Sequence, residues 1–298
     1  MSVKVRVPAT SANLGPGFDC MGLALTLYNT VTVEPAKQFN IELSGKYTAG
    51  IATDEQNLVW KTMCHLWQAA GFPIPTVSLY LENNIPPARG LGSSSAAIAA
   101  GLVAANVLAG NPFTDQQILD LGNELEGHPD NITPALFGGV DLALPTKQGV
   151  MTRILASSPP LKAVVVIPDI LVKTADARNV LPPEIPRRDA VFNIAHAGLI
   201  VEAFLTQDYA LLREGMQDKL HQNQRAGLIP GMHDVIRAAM AAGAFGAALS
   251  GSGPTIIALC DSSGPEDVQS AMLKAIHQHA VKAEALVLKI DPVGAHII

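Results

Sequence analysis

Between positions 85 and 97 the chain reads Ile-Pro-Pro-Ala-Arg-Gly-Leu-Gly-Ser-Ser-Ser-Ala-Ala, a run of small residues joining a strand-like stretch (76–81) to an apolar helical stretch (96–109). This demands a strand, a tight loop and a helix in immediate succession. Glycine lets the backbone approach a ligand closely and adopt conformations that a Cβ forbids. The first N–H groups of a helix are unpaired and lie at the positive end of its dipole, so an anion is favoured there. Three serines add hydroxyls suited to phosphate oxygens or a metal ion. The segment is a candidate phosphate cradle formed by Pro87, Ala88, Arg89, Gly90, Leu91, Gly92, Ser93, Ser94, Ser95 and Ala96. It is neither a Walker loop, which needs Gly-Lys-Ser/Thr, nor the dinucleotide pattern Gly-x-Gly-x-x-Gly. A tight N-cap without a ligand is the plain alternative.

The chain can bury a substantial core: it has 298 residues, 48% of them hydrophobic, which suits two domains. A net charge of −6 and the lack of a basic, aromatic-interleaved stripe argue against nucleic acid and anionic membrane as partners. No apolar run approaches the ~20 residues that span a bilayer. Cys20, Cys64 and Cys260 are odd in number and lack metal-type spacing, which suits reduced thiols in a cytoplasmic protein.

Alternation and β-branched content predict strands at 3–7, 25–33, 39–43, 76–81 and 140–144. Asn57 can cap a helix reaching Gly71, and Thr114 with Gln117 forms a capping box for a helix ending at Glu126. Turn residues cluster between Pro145 and Pro160, so the domains are expected at 1–150 and 151–298. The second half alternates strands (163–167, 245–249, 255–259, 286–290) with helices (189–206, 232–242, 265–280), which suggests a two-layer sandwich. The expected class is α+β.

Three further clusters carry chemistry. Residues 8–19 place Asn13, two hydroxyls and Asp19 on a Gly/Pro-shaped loop after the first strand. Residues 124–131 offer Glu126, His128, Asp130 and Asn131 between two helices. Glu126 can share a Mg²⁺ with a cradle serine, since that ion takes hard oxygen ligands, although Glu124 competes for the role. Asp130 or Asn131 can equally be the N-cap of a helix over 132–137. Residues 249–255 form a glycine loop between two apolar strands, either a plain hairpin or a second wall against a phosphate.

Taken together, Ser-Ala-Asn-Leu-Gly-Pro-Gly-Phe-Asp (11–19), Gly-Leu-Gly-Ser-Ser (90–94), His-x-Asp-Asn (128–131) and Ser-Gly-Ser-Gly-Pro-Thr (250–255) closely resemble the homoserine kinases of the galactokinase–homoserine kinase–mevalonate kinase–phosphomevalonate kinase (GHMP) superfamily. Thr174-Ala175-Asp176-Ala177-Arg178 and Arg225 add to the likeness, which covers essentially the whole chain. The resemblance implies an N-terminal domain like ribosomal protein S5 domain 2 and a ferredoxin-like C-terminal domain, with ATP along the cradle. It implies Ser94 and Glu126 as Mg²⁺ ligands, and Asn13, Asp19, His128, Asp130, Asn131, Arg178 and Arg225 around the amino-acid substrate L-homoserine. Thr174 would lie beside the transfer site and Asn131 would orient the hydroxyl. An arginine fork suits an α-carboxylate, and an aspartate suits an α-ammonium. The product would be O-phospho-L-homoserine, for threonine biosynthesis, and the assembly a homodimer. No general base is evident, so the hydroxyl proton is expected to pass to the phosphate itself. The alternatives are a GHMP-type kinase for another small alcohol and a non-catalytic nucleotide- or metabolite-binding protein on the same scaffold.

Overall fold

A computed structural model of the chain describes residues 2–298. Its first part comprises β1 (Val3–Ala12), β2 (Met21–Pro35), β3 (Asn40–Ser44), α1 (Leu58–Ala69), β4 (Val77–Glu82), α2 (Ser93–Leu108), α3 (Asp115–Glu126), α4 (Pro129–Phe137), β5 (Val140–Thr146) and β6 (Gly149–Ala156). There follow β7 (Leu161–Pro168), α5 (Thr174–Asn179), α6 (Arg187–Thr206), α7 (Leu212–Gly215), α8 (Gln222–Arg225), α9 (Met232–Ala241), β8 (Gly246–Leu249), β9 (Ile256–Asp261), α10 (Pro265–His277), β10 (Ala283–Lys289) and β11 (His296–Ile297).

Two sheets result. The first has seven strands in the order β11-β1-β2-β4-β3, with β5 pairing β2 and β6 pairing β5. Strand β2 is long enough to serve two neighbours: residues 30–35 pair with β4, and residues 21–23 pair with β5. The second sheet is antiparallel throughout, in the order β10-β7-β9-β8, with α9 and α10 on one face. Counted within this unit, the strand order is 4-1-3-2, the β-α-β-β-α-β ferredoxin-like arrangement. The fold is therefore α+β, as expected.

Strand β7 explains how the two layers join. Apart from Lys162, its run Leu161–Pro168 is apolar on both faces because both are covered. Leu161, Ala163, Val165 and Ile167 belong to the large core shared with the first sheet and α6. Val164 and Val166 face the other way, into the core under α9 and α10. Alternation thus divides one strand between two cores.

Several expectations need correction. Strand β1 runs on to Ala12, with a register shift at Pro8/Ala9, so Thr10 and Ser11 are strand residues rather than loop residues. Proline has no N–H for the ladder, and a bulge there lets pairing resume with β2. Helix α2 begins at Ser93, three residues earlier than predicted. Helix α4 begins at Pro129, with His128 as N-cap, so neither Asp130 nor Asn131 caps it. A proline at the first helical position supplies the fixed φ instead.

The change of sheet falls between Ala156 and Leu161, past position 150 but inside the turn-rich stretch. Strand β6 belongs to the first sheet, and β11 returns to pair with β1. Helix α6, at 20 residues, is long and apolar enough to cross a membrane by length and mean composition, although Arg187, Arg188, Asp189 and Glu202 keep it from being an uninterrupted apolar run. It packs Ile200, Ala203 and Phe204 into the large core, and Asn193 is buried with them.

Candidate active site

Helix α2 and its approach form the cradle. Gly90 (φ 73°) and Gly92 (φ 65°) are left-handed, and both sit where a side chain has no room. A Cβ on Gly92 would strike Thr10 Oγ1, and one on Gly90 would strike the Ser250 carbonyl. Gly92 is the N-cap and offers no side chain, so the amides of the first turn face outward without an internal cap. Ser93, Ser94 and Ser95 form that first turn. Pro87–Gly90 and Gly92–Ser94 line a cleft of ≈ 560 Å³. Leu91, Ser95 and Ala96 do not line it; they are buried beneath its floor.

Glu126 closes α3, and a left-handed Gly127 ends the helix there. Its Oε1 accepts hydrogen bonds from Ser94 Oγ and Ser95 Oγ, both at 2.8 Å. Glu124 is exposed and outside the cleft. One carboxylate and one hydroxyl side by side are hard oxygen donors, and they fit Mg²⁺ beside a phosphate.

The opposite end of the cleft carries charge of both signs. The 13–20 loop takes positive φ at Asn13 (72°), Leu14 (47°) and Asp19 (58°). Asn and Asp tolerate that region better than other residues. Asn13 spends its amide on the fold: Oδ1 accepts from the Asp19 N–H (3.0 Å) and Nδ2 donates to Gly251 O (3.0 Å). Asp19 so held receives both arms of Arg178, at 2.8 and 3.0 Å. That bidentate contact, ahead of burial and the Asp130 charge, defines the Arg178 environment and raises its pKa.

His128 Nδ1 lies 2.5 Å from Asp130 Oδ1. Burial would lower the histidine pKa, but the Asp130 bond and the charges of Asp130, Glu126 and Asp19 raise it overall. Ligand-type atoms of Asp19, His128 and Asp130 converge to within 4.8 Å of one another. Asn131 Oδ1 accepts from Thr10 Oγ1 at 2.8 Å, which turns its Nδ2 donor away from Thr10. Its Nδ2 is 3.4 Å from Asp130 Oδ1. Arg225 is almost wholly buried (2%), and burial, followed by the Arg178 charge, lowers its pKa to about 10.

Of the two readings of the third glycine loop, the hairpin is the one observed: it joins β8 to β9, and it clasps the cradle and the first motif. Ser250 Oγ donates to Gly90 O at 2.6 Å and lies 2.8 Å from Ser11 Oγ; Gly251 N donates to Ala12 O at 3.1 Å. All of Asn13, Asp19, Glu126, His128, Asp130, Asn131, Thr174, Arg178 and Arg225 line the one cleft. Ser252 of the third glycine loop lines it too, while sequence reasoning missed Lys173 and the apolar lining of Ile51, Ala52, Leu58 and Val59. It also missed His221, a residue of no recognisable motif that lies behind Arg225.

A helix N-terminal anion cradle facing paired carboxylates and guanidiniums, between two α+β units, defines a small-molecule kinase site. The family descriptions agree: "GHMP kinases N terminal domain" matches residues 57–139 and "GHMP kinases C terminal" matches residues 200–278. A homoserine kinase of Desulfitobacterium hafniense is 56% identical over 99% of this chain and 100% of its own length. The crystal structure of homoserine kinase from Cytophaga hutchinsonii superposes with a TM-score of 0.89 at 31% identity, covering 100% of this chain and 97% of that one. The L. major mevalonate kinase, at 18% identity and a TM-score of 0.73 over 97% of this chain and 96% of its own, shares the fold alone. The chain belongs to the GHMP kinases and, within them, to the homoserine kinase family.

Proposed function

We propose that this protein phosphorylates the side-chain hydroxyl of L-homoserine at the expense of ATP, giving O-phospho-L-homoserine for threonine biosynthesis. The observation that carries the site reading is the Asp19–Arg178 pair with Asp130 and Arg225 in the same cleft as the cradle. An α-amino acid is a zwitterion. Its ammonium fits the Asp19–His128–Asp130 cluster, and its carboxylate fits the guanidiniums, so substrate exchanges into an existing ion pair.

The cradle amides at Ser93–Ser95 and the two left-handed glycines suit the ATP phosphates. The wall of Ile51, Ala52, Leu58 and Val59 suits its base. Ser94 and Glu126 would hold Mg²⁺, which supplies positive charge beside the transferring phosphoryl when bound. Asn131, with its oxygen engaged by Thr10, offers only N–H donors to the acceptor hydroxyl. It orients that hydroxyl and cannot take its proton. Asp130 is already bonded to His128, and Asp19 to Arg178, so each is better fitted to hold charge than to act as a base. The hydroxyl proton therefore passes to the transferred phosphate, while Thr174 at the start of α5 supports the transfer site. Positioning and charge neutralisation supply most of the rate in such reactions.

The assembly we propose is a homodimer in the cytoplasm, in keeping with the free thiols of Cys20, Cys64 and Cys260. Its support is α6, where Val191 (59%), Ile194 (73%) and Leu205 (60%) stand exposed. An antiparallel pairing of two such helices would set Val191 and Ile194 against the small Gly198 and Ala195, and Arg187 beside Glu202, all read from the helix sequence.

A coupled ADP assay with homoserine, serine, threonine, mevalonate and galactose tests the activity. Turnover is expected with homoserine alone, because a site pairing both ammonium and carboxylate rejects analogues lacking either by factors up to ~10⁴. Comparable rates on mevalonate or galactose would overturn the substrate while leaving the fold untouched.

A further inference from the structure

His221 is completely buried, just ahead of α8, and does not line the cleft. Its two ring nitrogens have different jobs. Nε2 is 2.8 Å from Gly15 O, and a carbonyl only accepts, so Nε2 carries the proton. Nδ1 is 3.1 Å from Arg225 Nη1, and a guanidinium only donates, so Nδ1 carries a lone pair. The geometry alone defines a neutral imidazole of one tautomer. Burial, ahead of the nearby charges, lowers its pKa and agrees.

Arg225 is correspondingly constrained. Its Nε donates to Ala177 O at 3.0 Å, and Nη1 is shared between Gly251 O at 3.0 Å and His221. Among the described residues only Nη2 has no protein partner, so Nη2 is what Arg225 offers the cleft. It does not present the open two-pronged fork that the sequence suggested. His221 at the same time ties Gly15 of the 13–20 loop, which carries Asp19, to the guanidinium. Asp218 anchors this unit by accepting from the N–H groups of Leu220, His221 and Gln222 and from Asn193 of α6.

We infer that His221 is a positioning residue for the carboxylate end of the amino-acid pocket: its Nδ1 lone pair holds Arg225 so that Nη2 faces the substrate, and its Nε2–H keeps the Asp19 loop in register with it. The inference rests on the reading that Arg225 grips the α-carboxylate. A buried lone-pair acceptor suits this task because a guanidinium left short of a partner would swing into the cleft or demand a water.

Amide side chains separate the two ring functions. Asparagine places its oxygen near the Nδ1 position, and glutamine places its nitrogen near the Nε2 position. His221→Asn keeps an acceptor for Arg225, and His221→Gln keeps a donor for Gly15. The homoserine KM is expected to rise roughly tenfold or more in His221→Gln and in His221→Leu, the scale of one hydrogen bond to a charged group. It should recover in part in His221→Asn, which keeps the acceptor for Arg225 but not the donor to Gly15, with the ATP KM constant in all three. Arg225→Lys is measured alongside. If it leaves the homoserine KM unchanged, both the role of Arg225 and this inference fall. If it raises that KM while His221→Gln does not, this inference alone falls. A parallel rise of both KM values in every variant would mark a merely structural histidine and also overturn it. Histidine ¹⁵N spectra of the wild-type protein give a reading independent of variant folding. His221 should show a neutral Nε2–H tautomer that protonates only at lower pH than an ordinary histidine, facing Asp218, Arg225, Asp19 and the Phe18 ring, and should shift on adding homoserine. A protonated or Nδ1–H ring would refute the proposal.

Discussion

Two residues illustrate how little of a side chain's role follows from its type. Glu126 and Glu124 are two positions apart on α3, yet one accepts from Ser94 and Ser95 while the other faces solvent. Glu126→Gln is expected to lower kcat strongly and raise the Mg²⁺ concentration needed for half-maximal rate, because an amide cannot supply charge to the ion. Glu124→Gln should change neither; the reverse pattern would move the metal site. Asp141 is the other case. It is fully buried, neither oxygen has a partner among the described residues, and burial, followed by the Asp130 charge, holds its pKa well above the usual value. The unfolded chain releases this proton near the ordinary carboxyl pKa, whereas the folded chain keeps it. Stability therefore falls as pH rises above that value, by about 1.4 kcal/mol per pH unit until the folded group ionises. Asp141→Asn removes the titration, so its Tm relative to wild type should increase from pH 5 to pH 8. Parallel Tm curves would show that Asp141 ionises normally in the folded protein.

Among the elements, α2 carries the cradle and its length was the most informative surprise. Three serines that look like a loop are the first helical turn, because Gly92 in the left-handed region turns the chain directly into the helix. Gly92→Ala adds both a strained φ, about 1 kcal/mol or more, and a collision with Thr10, whose hydroxyl orients Asn131. The expected result is a rise of at least tenfold in the ATP KM together with a lower kcat, read from initial rates. Normal kinetics in a folded Gly92→Ala protein would mean that the backbone at this position does not need to approach the phosphates. Helix α4 shows the same coupling of element to site. Starting at Pro129 puts Asp130 and Asn131 in its first turn, one bonded to His128 and the other to Thr10.

At the scale of the molecule, the cleft exists because segments far apart in sequence are tied together. Asn13 bonds Gly251, Arg178 bonds Asp19, and Ser250 bonds Gly90. Strand β11 returns to the edge of the first sheet and pairs with β1, so residues as far apart in the chain as Val5 and Ile297 complete this sheet. The exposed face of α6 sits on the outside of this assembly, and Ile194→Glu places a charge in its middle. Sedimentation velocity should then show a wild-type dimer and a variant monomer, at unchanged Tm of the monomeric unit. A monomeric wild type at micromolar concentration would rule out the proposed pairing.

The sequence by itself determined the α+β class, the Asn57 cap of α1, the capping box of α3 and the apolar core strand β7. These are local matters of periodicity and turn chemistry, which near neighbours in the chain decide. The grouping of Gly90, Gly92, Ser94, Glu126, Asp130, Asn131 and Arg178 was implied by the family resemblance, and in the structure all seven line one cleft. Only the tertiary structure decided that Thr10 and Ser11 are strand residues, that β6 and β11 join the first sheet, and that Asn13 serves the fold while Asp19 receives Arg178. Short strands and one-turn helices such as β11 and α8 have too few internal bonds to exist without partners. The role of His221 is the extreme example. A single buried histidine carries no spacing signal, and its tautomer depends on a carbonyl 206 residues back and an arginine 4 residues ahead.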